Sequence, residues 1–203
     1  VDPSVPCGTK LDFALSVAYT GNGPHPATLA FSLQVGRPDP TLAPVFSYAG
    51  APVAIPDGDP NGVDIPVALA GSGPISRMVF SIDGSACSSV EGSTTVGLDH
   101  TWISDVSLVL SSPAGTRVSL LDAIGGPMND GNNLCQTVLD DGAVASIEAV
   151  SPLEAPYTGS YTPASPLAAF AGQPASGSWT LHAADSTFLD SGNVPAFSIY
   201  ASA

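Results

Sequence analysis

The stretch from Val106 to Leu121 limits the possible folds more than any other. Val106, Leu108 and Leu110 alternate with Ser107 and Val109, Ser112-Pro113-Ala114-Gly115-Thr116 supplies turn chemistry, and Val118, Leu120 and Leu121 resume the apolar run. A period of two on both sides of a Pro-Gly turn is a β-hairpin. Similar short apolar segments recur at residues 45–48, 63–69, 75–82, 94–98, 179–183 and 196–200, with turn residues between them. No segment carries a helical stripe of useful length, and the Ala-rich stretch 143–150 is at most a short helical turn. Many short strands without intervening helices predict an all-β sandwich, barrel or jelly roll.

The first residues form a pattern of their own. Leu11, Phe13, Leu15, Val17 and Tyr19 alternate with small or polar residues, Leu29, Phe31, Leu33 and Val35 do so again, and Gly21-Asn22-Gly23-Pro24 lies between. This predicts an antiparallel hairpin. A lone hairpin is marginal in water, so it must pack on the following domain, pair with another chain, or be the tail of an upstream β-sandwich. Residues 36–44 form a stiff Pro-rich connector. Two parts are therefore expected, 1–44 and 45–203.

Charge narrows the partners. Four Lys and Arg against eighteen Asp and Glu give a net charge of −14, which repels phosphate backbones and anionic membranes, so neither nucleic acid nor a membrane is expected to bind. With 44% hydrophobic and only 11% charged residues the chain is folded and turn-rich, despite 21 glycines and 20 prolines. No apolar run approaches the roughly 20 residues of a membrane span. A secretion signal is expected upstream or already removed. Of the three cysteines, Cys87 and Cys135 each lie in a polar loop beside an expected strand of the same domain, while Cys7 is far upstream. A Cys87–Cys135 disulfide is expected in an extracellular setting, three reduced thiols being the alternative.

Several short motifs occur in a particular order. His100-Thr101, Asp105, the Leu108-x-Leu110 strand and Ser112-Pro113-x-Gly115-Thr116 are followed by Pro166-Leu167, Phe170-x-Gly172, Gly177-x-Trp179-x-Leu181, Asp185 and a last strand. Together with Ile55-Pro56-Asp57 near the start, they resemble the P-domain (Homo B domain) that follows the protease domain in kexin, furin and many secreted bacterial proteases. The resemblance covers about residues 45–203. It implies a jelly-roll β-sandwich of about eight antiparallel strands, here preceded by the N-terminal hairpin. It also implies a non-catalytic, secreted accessory domain that supports the folding, stability and substrate access of a catalytic protease domain in the same polypeptide. In isolation such a domain is expected to be monomeric. The alternative is an extracellular glycan- or protein-binding module.

Asp57-Gly58-Asp59-Pro60-Asn61-Gly62-Val63-Asp64 matches the opening of a calcium loop, hard oxygen ligands around a turn glycine, but the position of the closing Glu is Ala68. Asp57, Asp59, Asn61 and Asp64 are thus candidate calcium ligands, and an Asx-turn capping a strand is the competing explanation. Asp185 and Asp190 make a second candidate cation cluster, which a jelly roll could bring close to the first. His100, with Asp99 and Asp105 on either side, has the composition of an oriented base. However, the chain has no Gly-x-Ser-x-Gly elbow and no His-Glu-x-x-His helix. The P-domain resemblance instead makes His100 and Asp105 structural, holding a loop at a strand entrance, and places Trp179 on a core strand. Trp102, one residue before Ile103, is a candidate sugar-stacking surface.

Overall fold

In the computed structural model the described residues are 10–17, 27–34, 44–48 and 50–202. Cys7, His25, the turn at 20–26 and most of the connector at 36–44 lie outside them. The chain divides into two compact units, Val1–Arg37 and Pro38–Ala203. The first contains β1 (Lys10–Val17) and β2 (Ala27–Gln34), paired antiparallel with Phe13 opposite Phe31.

The second unit continues with β3 (Pro44–Tyr48), β4 (Val53–Ile55), β5 (Val63–Leu69), β6 (Arg77–Ile82), β7 (Asp99–His100), β8 (Val106–Ser111) and β9 (Arg117–Asp122). There follow β10 (Leu134–Leu139), β11 (Ala145–Ser146), β12 (Tyr157–Thr162), β13 (Gly177–Asp185), β14 (Gly192–Val194) and β15 (Phe197–Ser202). Among the described residues only short 3-10 turns interrupt the strands, such as Ile103–Asp105 and Ile147–Ala149. The strands form a six-stranded sheet in the order β11-β12-β10-β6-β15-β3, a four-stranded sheet β5-β13-β8-β9 and a small sheet β4-β14-β7.

The core is a β-sandwich between the two larger sheets. Ile65, Val67 and Leu69 of β5 and Val106, Leu108 and Leu110 of β8 turn one face inward at every second residue. They pack in one cluster with Phe80 and Ile82 of β6 and with Phe197 and Ile199 of β15. Each such side chain contributes about 1.5–3 kcal/mol on leaving water. Phe197 stacks between Phe80 and Tyr48, with ring centroids 5.4 Å away on both sides. The expected hairpin of β8 and β9 forms, and β13 pairs antiparallel with both β8 and β5.

Three features differ from the expected pattern. Residues 94–98 form no strand, only isolated bridges from Val96 to Gly84 and from Leu98 to Leu134. β10 and β12 carry no clean alternation and yet join the six-stranded sheet. Their pairing is parallel, as is that of β11 with β12.

The turn before β5 illustrates a local constraint on sequence. Gly62 has φ +54°, and a side chain there would collide with the Ala183 carbonyl of β13, so a glycine is needed on both counts. A disulfide joins Cys87 to Cys135, with 5.4 Å between Cα atoms, and fastens the long loop after β6 to β10.

Candidate functional site

The polar residues singled out in the sequence gather where the small sheet meets the end of β13. β14 lies between β4 and β7, so that Gly192 sits opposite His100 and Asn193 opposite Asp99. A side chain at 192 would strike the Asp99 carbonyl and the His100 ring, so this approach requires glycine. Asp99 is buried. It accepts hydrogen bonds from the Ser93 backbone N–H and the Asn193 side-chain amide, both at 3.0 Å. Burial raises its carboxyl above the ordinary aspartate range, and the hydrogen bonds from the backbone of Ser93 and Gly92 oppose that rise.

His100 has no solvent exposure. Its Nε2 lies 3.2 Å from Oδ2 of Asp185, which is equally buried, and its Nδ1 lies 3.0 Å from the Trp102 carbonyl and 3.2 Å from the Trp102 N–H. Its backbone N–H donates to Asn133 Oδ1 at 2.9 Å, and Asn133 Nδ2 donates in turn to the carbonyls of Ser88 and Val90. Both ring nitrogens and the backbone are therefore engaged. The other oxygen of Asp185 accepts the Thr187 N–H at 2.9 Å, which sets the direction in which the chain leaves β13.

The loop 186–191 is tied down at several further points. Thr101 Oγ1 donates to Asp190 Oδ1 at 2.8 Å, the Leu189 N–H donates to Asp57 Oδ1 at 3.0 Å, and the Ser186 N–H donates to the Asp105 carbonyl at 3.3 Å. Asp57 and the loop of Asp185 and Asp190 are thus brought together. Between this loop and the 3-10 turn at Ile103–Asp105 opens a cavity of about 460 Å³ whose walls include Trp102, Asp105, Ala123, Pro127, Thr187 and Asp190. Burial raises the Asp105 carboxyl, with repulsion from Asp185 and Asp190 adding to the rise. A hydrogen bond from the Thr187 side chain and the nearby His100 oppose it.

The expected calcium ligands do not converge. Asp57 holds Leu189. Asp59 Oδ1 accepts both the backbone N–H and the side-chain amide of Asn61, each at 2.9 Å, as in an Asx-turn. Asp64 sits opposite His182 across β5 and β13 and meets its Nδ1 at 2.8 Å. Asp185 and Asp190 are held by His100 and Thr101. Among the described residues no three His, Cys, Asp or Glu side chains gather so as to hold a metal ion.

Trp179 is 1% exposed, its ring edge-on to Phe170 at 4.8 Å, and its buried indole N–H has no hydrogen-bond partner among the described residues. Trp102 is half-buried and lines the cavity. The sequence pointed to His100, Asp105, Asp185 and Asp190 singly, but not to the His100–Asp185 pair, to Asn133 behind it, or to the cavity.

The family model of the proprotein convertase P-domain matches residues 90–200, more than half of the chain, and spans His100, the cavity and Asp185. Among solved structures, the crystal structure of a serine protease of Aeromonas sobria is similar at 19% identity and a TM-score of 0.44, over 81% of this chain. This chain spans 28% of that protein's length. No curated protein matches the sequence.

Proposed function

Because the chain belongs to the proprotein convertase P-domain family, we propose that its second unit is a non-catalytic accessory domain of a secreted bacterial hydrolase, a serine or metalloprotease encoded in the same polypeptide. In this role it stabilises the catalytic domain and shapes access to it. The observation that carries the proposal is the state of His100. A general base must reach the proton it removes, whereas this imidazole is fully buried and spends both ring nitrogens on Trp102 and Asp185. The Cys87–Cys135 disulfide supports an extracellular location, where such bonds persist.

The test is casein hydrolysis by the purified chain and by His100→Ala. Neither variant is expected to turn over substrate, and His100→Ala is expected to melt at lower temperature. Turnover by the native chain that vanishes in a folded His100→Ala protein would refute the proposal.

A further inference from the structure

A second recess opens beside β3 and β15, bounded by the chain that leaves β6 and by residues 94–96. Its cavity of about 610 Å³ shares no lining residue with the one beside Trp102. That volume lies within the range of about 300–1,000 Å³ found for small-molecule sites. One wall is Asp83, which is half-buried and supported by two hydroxyls that are each 5% exposed. Ser81 Oγ donates to its Oδ1 at 2.7 Å, and Ser198 Oγ lies 2.6 Å from its Oδ2 and 2.9 Å from Ser47 Oγ. A hydroxyl has one hydrogen, and the shorter, charge-assisted contact takes it. Ser47 therefore donates to Ser198, and Ser198 to Asp83. Every hydrogen in this chain is spent toward the carboxylate, so Asp83 and Ser47 face the recess as acceptors.

The frame is set before anything binds. The Asp83 N–H donates to the Ala196 carbonyl at 3.0 Å, the Gln136 N–H donates to the Asp83 carbonyl at 3.1 Å, and the Ser85 N–H donates to the Thr95 carbonyl at 2.8 Å. Gly84, also in the lining, has φ +141°, and a side chain there would strike Cys135 Sγ and press on the Thr95 carbonyl. Glycine keeps this wall at the level of the backbone. A site ordered in advance loses little entropy on binding.

The lining selects the ligand. Ser85 and Thr94 add hydroxyls to those around Asp83, and Pro52 and Pro195 add apolar surface. No lysine, arginine or histidine is present to hold a phosphate, a sulfate or an acidic sugar. One carboxylate is too few for a divalent ion, which takes six to eight oxygens when it is calcium. The ligand must bring donors to Asp83 and Ser47, accept from hydroxyls opposite, and rest an apolar face on the prolines. A neutral sugar ring does all three, since its adjacent hydroxyls donate and accept and its C–H face is apolar.

We propose that this recess binds one neutral sugar unit of an oligosaccharide, with two adjacent ring hydroxyls donating to Asp83 and Ser47. The proposal is independent of the accessory role, which the casein assay tests.

The test is an NMR titration of the full 203-residue chain with cellotetraose, maltotetraose and N-acetylated chitotetraose in turn. At least one is expected to shift the amides of Gly84, Ser85, Val96 and Ser198 together at millimolar concentration, with the Trp102 indole signal unmoved. Affinity is expected to fall about ten-fold or more in Asp83→Asn and in Thr94→Arg, whose guanidinium covers the carboxylate from an exposed position. Thr94→Arg leaves the hydroxyls of Ser81 and Ser198 in place, so it reads the site even where Asp83→Asn fails to fold. No shift with any of the three sugars, shifts located elsewhere, or undiminished binding in Thr94→Arg would overturn the proposal. So would the same shifts produced by ethylammonium chloride or by the peptide acetyl-Val-Thr-Val-amide, which would make the recess an amine site or a strand-docking edge.

Discussion

His100 and Asp185, 85 residues apart in sequence, meet at 3.2 Å between Nε2 and Oδ2 with neither side chain exposed. The contact ties β7 to the last residue of β13, and the second oxygen of Asp185 starts the loop 186–191. Removing one member of a buried pair strands the other, at a cost of about 3–5 kcal/mol. Asp185→Ala and His100→Ala are each expected to lose about that much in urea denaturation. The double variant should lose clearly less than the two single losses combined, since the pair acts as a unit. Additive losses would mean that the contact contributes little.

The disulfide fastens the loop that Asn133, the partner of the His100 backbone, also holds. Cys87 and Cys135 are separated by 48 residues, and closing a loop of that length stabilises a protein by about 4 kcal/mol in the chain-entropy account. Cys87→Ala/Cys135→Ala should therefore lower the Tm by about 10 °C for a domain of this size. An unchanged Tm in calorimetry would show that the denatured chain is already constrained without the bond.

Acid should stabilise the domain over part of its range. The carboxyls of Asp99, Asp105 and Glu148 are all raised by burial, so the native state holds these protons more tightly than the unfolded chain does. Their favourable contribution is complete below the unfolded carboxylate pKa and is lost as pH rises through the higher folded values. The Tm is expected to fall over the interval that begins at the ordinary carboxylate pKa of about 4 and runs upward, and Asp105→Asn should flatten that slope. Repulsion within a chain of charge −14 acts in the same direction. A Tm that rises over this interval would contradict the assignment.

Calcium gives a further check. A ligand that binds only the native state must raise its stability. Since Asp57, Asp59 and Asp64 each have their own protein donors, melting in millimolar calcium and in chelator should coincide. A calcium-dependent rise that Asp57→Ala abolishes would restore the 57–64 loop as a metal site.

What could be read in the sequence depended on how each face of a strand is covered. β8 alternates because one face packs in the core and the other is half-exposed, and its turn to β9 carries Pro113 and Gly115, so the hairpin was legible. β10 is buried on both faces: Leu134 and Leu139 join the main core, while Val138 packs with Val79 on the other side. No period survives that arrangement. β12 is a run of Tyr, Thr, Gly and Ser held largely by parallel pairing and by the Tyr157 hydroxyl donating to Asn129 Oδ1 at 2.7 Å, neither of which has a local signature. The site follows the same logic. The identities of His100 and Asp185 were visible, but their meeting joins β7 to the last residue of β13 across 85 residues, and no local pattern encodes it. The Asp57–Asp64 motif was ambiguous because Asx-turns and calcium loops use the same residues, and the cross-strand partner of Asp64, His182, lies 118 residues away.

The most direct test of the accessory role is proteolysis by the complete gene product, made with and without residues 38–203. Activity is predicted to reside outside this unit, and its loss on heating should be faster when the unit is removed. A complete product without protease activity, or activity that travels with residues 38–203 alone, would contradict the account.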